Sequence, residues 1–482
     1  MQKKCVQMSL FDTYECVEEQ LSNEKPELFR LLDEHLNWDE IIPGTFYAAF
    51  YRRLGRNRKY DLDSFVKALV LQRIFHYVDD IQLLNTLRFS YEMRDYCGFD
   101  KVPDAAKLTR FKQDFCDHIR DVFERLVDLT EPICREMDAA LADLLTFDTT
   151  GIESYVTENN PKFLRGKEQQ AKFVAKIDPT YDSSLGGTAL MPTVAASNPA
   201  VKQQYINGHF CYAQKAVVVA NGLGIVRHLE LLDEDFKKAH PEVPIDKQTK
   251  NPERDKEVGD STALRPVMLD FKKEHPTFQY GIFAADSAFD SFANYIFLMK
   301  ECQFKKAVIP LNPRGGLPAA KVGFNEYGIP LCPRDGSPFL FHSRYQAKGR
   351  ALRFKYVCPK TQTIQTNESK SGTTKRCFCD NPCSDSPYGR CVYVCPDKDL
   401  RLYPGLSRDS EEFSTIYNRR ASVERSINSL KDTLGIANRK TSNVLTTKAD
   451  LFLAGIVQLL CVLLADKLHD TKLARRPRRL IA

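Results

Sequence analysis

The chain has 482 residues, of which 43% are hydrophobic and 27% are charged, and its formal net charge is +6. This length suffices for about two to four domains with cores of their own, and the composition is typical of a soluble globular protein. The longest apolar run, residues 451–465, is interrupted by Gln458 and is too short to span a bilayer, so a buried helix is expected there and no membrane role.

The start of the chain lacks the charged segment, apolar segment and cleavage site of a secretory signal, so we expect a reducing, cytoplasmic location. Fifteen Cys in such a compartment are expected to be buried thiols or metal ligands rather than disulfides. The positive charge is uneven, with basic clusters at residues 52–59 and 472–479. Several such clusters on one chain favour a polyanionic partner.

The first 140 residues read mainly as helices. A short helix is expected around Pro26–Leu36, and Asp61 or Asp63 can cap the next one. A further helix ends near Gly98, which suits a C-terminal cap. The apolar positions of these last two helices are Phe65, Leu69, Ile74, Val78, Ile81, Leu84 and Leu87.

A third helix begins after Pro103-Asp104 and runs from Ala105 to about Ile119. It carries three cations, Lys107, Arg110 and Lys112. Three short helices with a basic third one favour a helix-turn-helix-like DNA-binding domain in which these cations contact DNA. A plain helical bundle would give the same pattern, and the residues alone leave both interpretations open.

Two short apolar runs further along the chain each end in an aspartate. Residues 144–147 lead to Asp148, and residues 280–285 lead to Asp286. Each run reads as a buried strand that delivers its acid to the strand exit.

The elements around these strands alternate between strand and helix. Asn221-Gly222 lies between two strand-like runs and is typical of a β-hairpin. The predicted elements are a strand at Phe173–Ile177, the hairpin strands Gln214–Ala220 and Leu223–Leu231, helices at Ser261–Lys273 and Asn294–Cys302, and a strand at Lys306–Pro310. This order predicts an α/β (α+β) fold, with a mixed sheet flanked by helices behind an all-helical N-terminal domain.

The stretch from Tyr417 to Lys431 has no Gly or Pro and reads as a helix. On a 3.6-residue period Tyr417, Arg420, Glu424 and Lys431 project from one face, beside an apolar stripe. A Glu among groups that can contact phosphate suits a carboxylate that holds a metal ion while its neighbours bind the DNA backbone. A solvated helix face of mixed charge gives the same pattern.

Three carboxylates can therefore meet at one edge of the predicted sheet. Sites form where the strands of such sheets end, and Asp148, Asp286 and Glu424 are all delivered there. One acid at a strand end is usually a cap or a turn residue, whereas three in this order point to a shared site.

At these residues the chain resembles the DDE transposases of bacterial insertion sequences, which have an RNase H-like catalytic core. The family signature is Tyr, two residues, Arg, three residues, Glu, six residues and Lys, and Tyr417, Arg420, Glu424 and Lys431 match every spacing. The segments Phe147-Asp148-Thr149-Thr150 and Ala285-Asp286-Ser287-Ala288-Phe289-Asp290 also resemble the motifs around the first two acids. The resemblance covers roughly residues 60–465.

The resemblance implies a metal-dependent transposase. Asp148, Asp286 and Glu424 would be catalytic and would hold two Mg²⁺ (or Mn²⁺) ions, because hard oxygen ligands are what these ions prefer. Water would free a 3′-hydroxyl at the transposon end, and this hydroxyl would attack target DNA without ATP. Tyr417, Arg420 and Lys431 would hold the phosphate backbone.

Two other functions remain open on the sequence. One is a stand-alone nuclease or resolvase built on the same RNase H-like core. The other is a sequence-specific DNA-binding protein that has kept this fold and lost catalysis, although the presence of all three carboxylates counts against it.

The expected partner is double-stranded DNA, both transposon ends and target, bound by a homodimer in the cytoplasm in association with the nucleoid. The predicted domains are a helical DNA-binding domain at 1–140, a first part of the RNase H-like core at 141–310, a Cys-rich insertion at 311–400, and a second part of the core with a basic tail at 401–482.

The predicted insertion holds seven of the fifteen Cys and few large apolar side chains. It would struggle to build a core, and a structural Zn²⁺ could supply the missing stability. The candidate ligands are Cys332, Cys358, Cys379, Cys383, Cys391 and Cys395. No Cys-x₂-Cys pair occurs, so the set of zinc ligands is open, and the alternative is a disordered or β-rich insertion with free thiols.

Overall fold

The computed structural model of the chain describes residues 9, 11, 15, 25–52, 57–178, 180, 186–187, 190–244, 258–313, 322–349, 351–365 and 373–481. Arg53 and Arg56 of the first basic cluster lie outside these residues.

Helices account for most of the N-terminal and C-terminal residues. In chain order they are α1 (Glu27–His35), α2 (Trp38–Ile41), α3 (Gly44–Phe50), α4 (Leu62–Ile74), α5 (Asp80–Phe89), α6 (Tyr91–Cys97), α7 (Ala105–Asp114), α8 (Cys116–Met137), α9 (Ala139–Ala142), α10 (Pro161–Ile177), α11 (Glu234–Ala239), α12 (Asp260–Glu274), α13 (Phe292–Ile296), α14 (Glu411–Arg419), α15 (Ala421–Asn428) and α16 (Val444–Lys467). Helices α13 and α15 each continue into a π-helical turn, at Phe297–Glu301 and Ser429–Thr433.

The strands lie in the middle of the chain. They are β1 (Leu144–Glu153), β2 (Val194–Ala195), β3 (Asn198–Ile206), β4 (His209–Asn221), β5 (Val226–Leu231), β6 (Ile282–Ala284), β7 (Lys306–Val308), β8 (Leu340–Tyr345), β9 (Arg353–Val357), β10 (Thr361–Gln365), β11 (Thr373–Cys377) and β12 (Cys391–Val394).

The chain divides into two compact units. The first contains residues 1–137, 151–214 and 427–482, and the second contains residues 138–150 and 215–426. The four predicted domains do not coincide with these units, because the predicted ranges 141–310 and 401–482 each contribute to both.

The second unit is built on a mixed sheet with strand order β5, β4, β1, β6 and β7. Strands β1, β6 and β7 are parallel, whereas β4 and β5 form an antiparallel hairpin. Helix α12 packs against this sheet through Leu264, Val267 and Phe271, which share a core with Phe147 of β1 and Phe283 of β6. The predicted α/β class with a mixed sheet flanked by helices is confirmed.

The other face of this sheet is covered by helix α14. Phe413 is buried with Leu144 and Val308, and the partly buried Ile416 and Tyr417 pack against the same group. The capping residue Ser410 starts the helix by accepting a hydrogen bond from the N–H of Phe413. The sheet is thus closed on both faces, and α14 leads directly to α15.

The insertion forms two small antiparallel sheets. Strands β12, β9 and β8 make a three-stranded sheet, and β10 and β11 make a hairpin. Phe354 and Tyr356 of β9 are buried with Phe339, Leu402 and Tyr403 in a separate small core. The insertion therefore does build a small apolar core, contrary to the expectation from sequence, although the described strands β10 and β11 of the hairpin add no buried side chain to it.

The first unit is organised around helix α16, which packs against α8, α4 and α7. It is the one described helix that is long and apolar enough to cross a membrane, with a mean hydropathy of 2.0, and 89% of that apolar window is buried inside the protein. Such burial is typical of the core helix of a soluble protein, and it confirms the buried helix predicted for residues 451–465. The helix extends beyond that run at both ends, so the expectation that it is too short to span a bilayer is wrong.

A buried ion-pair network ties α16 to the N-terminal helices of the same unit. The Asp450 carboxylate accepts hydrogen bonds from Arg73 at 3.0 Å and Arg439 at 2.7 Å. The Lys112 ammonium lies 3.0 Å from Asp80 and 3.4 Å from Asp450. Asp450 is fully buried, so its charge depends on these cations.

Several predicted elements are confirmed. The structure contains the predicted helices near Pro26–Leu36, Ser261–Lys273 and Asn294–Cys302, as α1, α12, and α13 with its π-helical turn. The Asn221-Gly222 hairpin is present as β4 and β5. Gly98 caps α6 in the left-handed conformation, with φ 73°.

Other predicted elements are wrong in type or extent. Phe173–Ile177 is the end of helix α10 and not a strand, because Asn160 caps a helix that starts at Pro161 and runs for 17 residues. The helix expected up to Gly98 is two helices, since the Ser90 side chain accepts from the N–H of Met93 and starts α6. The helix expected from Ala105 to Ile119 ends at Asp114, where α7 gives way to α8.

Candidate active site

Asp148 lies inside strand β1, which continues to Glu153, so the predicted strand exit at Asp148 is wrong. Its neighbours Phe147 and Leu145 are buried in the core below the sheet. The Asp148 side chain keeps 21% of its surface exposed, enough to receive a ligand.

The pKa of Asp148 is raised to about 7, chiefly by burial and also by the negative charge of Asp286. The N–H of Thr149, which donates to Asp148 at 2.8 Å, and the charge of Arg420 act in the opposite direction. A half-buried carboxylate facing a second carboxylate is the situation that a bound cation relieves.

Asp286 follows strand β6 by two residues, as the sequence predicted. Its carboxylate accepts a hydrogen bond from the N–H of Ala288 at 2.8 Å and caps the short 3₁₀ turn Ser287–Phe289. Because β1 and β6 are adjacent parallel strands, Asp286 is delivered beside Asp148.

Glu424 lies in the first turn of α15, and half of its side-chain surface is exposed. Arg420 stands between α14 and α15, one turn before Glu424. Its guanidinium donates a hydrogen bond to the Glu424 carboxylate and lies 3.6 Å from the Asp148 carboxylate. Arg420 therefore connects the first and the third predicted acid.

Helix α15 is fixed to strand β1 by buried groups. The hydroxyl oxygens of Ser422 and Thr146 are 3.2 Å apart. The Thr146 hydroxyl also donates a hydrogen bond to the carbonyl of Ala220 at 2.8 Å. Val423 is completely buried on the same side of the helix. The apolar stripe predicted beside the charged face is thus confirmed, and it leaves Glu424 on the exposed side.

A break in the predicted helix separates Tyr417 from Glu424. Tyr417 belongs to α14, where the Arg420 guanidinium lies over its ring at 5.7 Å. Tyr417 is partly buried against Leu144 and Val308, so the ring also supports the sheet.

Sequence reasoning missed a polar group next to Asp148. The Thr149 hydroxyl donates to Asp260 at 2.6 Å, and Asp260 pairs with the buried Lys215 at 2.5 Å. The charge of Asp260 contributes to raising the pKa of Asp148. Asp260 begins α12, but it lies just before the helix predicted at Ser261–Lys273, and an acid at that position gave no reason to place it beside Asp148.

The remaining signature residue, Lys431, belongs to the first unit. Its ammonium donates to the carbonyl of Gly151 at 3.0 Å and to the side-chain oxygen of Asn207 at 3.2 Å. Burial, the largest cause, lowers the pKa of Lys431. These two hydrogen bonds link the segment around Lys431 to strand β1 and to the β3–β4 turn.

The three cations predicted on the third helix separate into two environments. Arg110 is exposed and Lys107 is half-buried, with its ammonium 2.8 Å from Asp104. Lys112 is completely buried in the ion-pair network with Asp80 and Asp450. We therefore correct the assignment of Lys112, because a buried, paired ammonium is not available to DNA.

Lys107 and Arg110 line a cleft in the first unit that has a volume of about 500 Å³. Arg58 and Lys59 contribute to the same wall, and the Arg58 guanidinium lies over the Phe50 ring at 4.7 Å. Four cations around an open cleft suit an anionic ligand such as a phosphate backbone.

The residues of the second unit fit a divalent cation. Asp148, Asp286 and Glu424 offer hard oxygen ligands, which Mg²⁺ and Mn²⁺ prefer. The charge of Asp286 contributes to the raised pKa of Asp148, after burial, and a cation between the two carboxylates would offset their repulsion.

Residues 15–114 match the family model described as Transposase domain (DUF772). The matched segment ends with helix α7, so it includes both Lys107 and Arg110. A comparison with curated proteins gives no match. The family match supports a transposase, and hence a protein that acts on DNA.

Proposed function

We propose that the chain is a DDE transposase with an RNase H-like catalytic core, which cleaves DNA at transposon ends and joins the freed 3′-hydroxyl to target DNA. The observation that carries the proposal is the grouping of Asp148, Asp286 and Glu424 in one unit, with Arg420 touching two of them, in a chain that also carries a transposase-domain match. The strand order β5, β4, β1, β6 and β7 supports the assignment of the core.

In this proposal Asp148, Asp286 and Glu424 hold two Mg²⁺ or Mn²⁺ ions. When bound, such ions activate the attacking oxygen and stabilise the leaving oxygen and the charge on the transferred phosphate. The half-buried position of Asp148 strengthens its interaction with a cation, since water screens it less than it would an exposed carboxylate.

Arg420 has a separate task in the proposal. Its guanidinium already contacts Asp148 and Glu424, and a planar group with five N–H donors can bind phosphate oxygens as well as carboxylates. We assign it to holding the DNA backbone beside the carboxylates. Tyr417 supports the guanidinium through its ring. We also assign Lys431 to contact with the phosphate backbone.

The basic cleft of the first unit is assigned to the transposon ends. Arg58, Lys59, Lys107 and Arg110 would contact phosphates, which position the protein on the duplex but carry no sequence information by themselves. Two DNA ends have to be brought together for joining, so we propose that the active species is a homodimer on DNA.

The decisive experiment mixes the full-length chain with DNA carrying the ends of its own element, a target plasmid, and Mg²⁺ or Mn²⁺. The proposal expects nicks at the ends, exposed 3′-hydroxyls, and joined products, none of which form with Ca²⁺ or chelator. Cleavage without joining would favour the stand-alone nuclease. Specific binding without cleavage under any metal would favour the inactive DNA-binding protein.

A further inference from the structure

Five thiols of the insertion face one cavity of about 310 Å³ in the second unit, although they are distant in sequence. They are Cys332, Cys358, Cys377, Cys379 and Cys383. Cys358 directly follows β9, and Cys377 is the last residue of β11. The fold thus gathers thiols from several separate turns around one small space.

Two of these thiols form a close pair. The sulfurs of Cys358 and Cys377 are 3.8 Å apart, and Cys332 and Cys383 line the same cavity. Tetrahedral zinc with Zn–S bonds of about 2.3 Å holds its sulfurs about 3.8 Å apart, whereas a disulfide needs about 2.05 Å. The spacing of Cys358 and Cys377 therefore excludes a disulfide between them and matches two sulfurs on one metal ion.

The β10–β11 hairpin beside the cavity has few apolar contacts to stabilise it, so a metal cross-link at its base would stabilise it. No side chain of the hairpin strands β10 and β11 is buried in the structure as described. An isolated two-stranded hairpin is marginally stable in water. Cys377 ends this hairpin, and Cys358 precedes it, so a metal bound to both would close the hairpin at its base.

Basic groups at the cavity favour a negatively charged metal centre. The Lys360 ammonium lies 3.7 Å from the sulfur of Cys379 and 2.9 Å from the Asp335 carboxylate. Arg376 and Arg390 line the same cavity. Four thiolates around Zn²⁺ carry a net charge of about −2, which these cations partly compensate.

We propose that this cavity holds one structural Zn²⁺ bound by Cys332, Cys358, Cys377 and Cys383, while Cys379 serves as a partner of Lys360. The proposal goes beyond DNA cleavage and joining, because it concerns the stability of the insertion and not the reaction. The proposal also revises the set of zinc ligands that was expected from the sequence. Cys391 and Cys395 do not line the cavity, and Cys377, which was not among the expected ligands, does.

The first test is elemental analysis of the full-length chain purified without chelator. We expect about one zinc per chain, and a loss of most of it in Cys332→Ser, Cys358→Ser, Cys377→Ser and Cys383→Ser. Cys391→Ser is the matched control, since Cys391 is exposed on β12 of the same insertion, and it should keep its zinc. Cys379→Ser should also keep it.

A second test uses the unaltered protein, so a variant that fails to fold cannot obscure the result. Alkylation followed by mass spectrometry should find the four proposed ligands protected until a strong chelator is added, with Cys391 reactive throughout. Less than about half a zinc per chain in the purified protein would overturn the proposal. The proposal would also be overturned if Cys379 were protected instead of Cys377, or if the thiols were found in disulfides and not bound to metal.

Discussion

A nitrogen of the Arg420 guanidinium lies 3.6 Å from an oxygen of the Asp148 carboxylate. The same guanidinium donates to Glu424, one helical turn further along the chain. Both carboxylates therefore share one positive partner, and a metal ion that binds them competes with Arg420 for the same oxygens. Metal binding would release the guanidinium for contact with phosphate.

The first prediction concerns the three acids. Asp148→Asn, Asp286→Asn and Glu424→Gln should each reduce end cleavage at least about 100-fold, because even groups that only orient a metal ligand contribute 10- to 100-fold. Binding to end DNA should change little. Cleavage is measured on labelled ends with Mg²⁺, and binding by a gel-shift assay without it.

Glu411→Gln is the matched control for these variants. Glu411 is an exposed acid at the start of α14, and its replacement should leave cleavage unchanged. Near-normal cleavage by any one of the three acid variants would remove that residue from the proposed site.

The second prediction separates Arg420 from its neighbour Arg419. Lys keeps the charge at position 420 but lacks the planar fork that reaches two partners, so Arg420→Lys should reduce cleavage roughly 10- to 100-fold. Arg419 is exposed at the end of α14, and Arg419→Lys should have little effect. Equal losses in both variants would show that only general positive charge matters.

The third prediction tests the basic cleft of the first unit. Lys107→Gln and Arg110→Gln should each weaken binding to end DNA and lower the slope of log K against log salt by about one, because each removes a phosphate contact. Arg88→Gln, an exposed cation that does not line the cleft, is the control. Unchanged slopes in both cleft variants would assign end binding to another surface. The measurement is a salt titration with the full-length chain.

The fourth prediction concerns Asp450. Asp450→Asn should lower the free energy of unfolding of the first unit by about 3–5 kcal/mol, because it leaves buried cations without their counter-charge. Trp38, the only tryptophan, is buried in this unit, so its fluorescence during urea unfolding reports the change. Asp466→Asn on the same helix is the control and should unfold near the wild-type midpoint.

The fifth prediction is the pH dependence of this network. Burial by itself raises the pKa of Asp450, but the charges of Arg439, Lys112 and Arg73 outweigh it and hold that pKa below its usual range. The stabilisation is therefore present above the unfolded-state pKa of about 3.9 and is lost as pH falls below it. The difference between wild type and Asp450→Asn should be constant near neutral pH and shrink in acid. A difference that grows in acid would contradict the assignment.

The parts of the site that could be predicted from sequence depend on local pattern. Asp148 and Asp286 follow short apolar runs, and parallel strands deliver such residues to neighbouring positions. Glu424 was found because helical periodicity separates its charged face from Val423 and Ile427. None of these steps required knowledge of a distant contact.

The predictions that were wrong or missing concern residues whose partners lie far away in the sequence. Lys112 has the spacing of a surface cation, and its burial depends on Asp80 and on Asp450, which lies 338 positions later. Cys377 became a candidate ligand only when the hairpin fold brought it to Cys358. The wrong strand prediction at Phe173–Ile177 has another cause. Asn160-Pro161 is a local signal for the start of a helix, and it could have been used to predict the helix correctly.

Helix α16 fills the core beneath α4, α7 and α8, yet about 300 residues separate it from the end of α8. At translation rates of about 5–20 residues per second, the ribosome needs roughly 15–60 s to supply it. Until then Arg73 and Lys112 have no Asp450, and the N-terminal helices have no core helix to pack on. The proposed DNA-binding cleft would thus be completed only when the chain is nearly finished, and we expect that a truncated product would not occupy transposon ends and block the full-length protein.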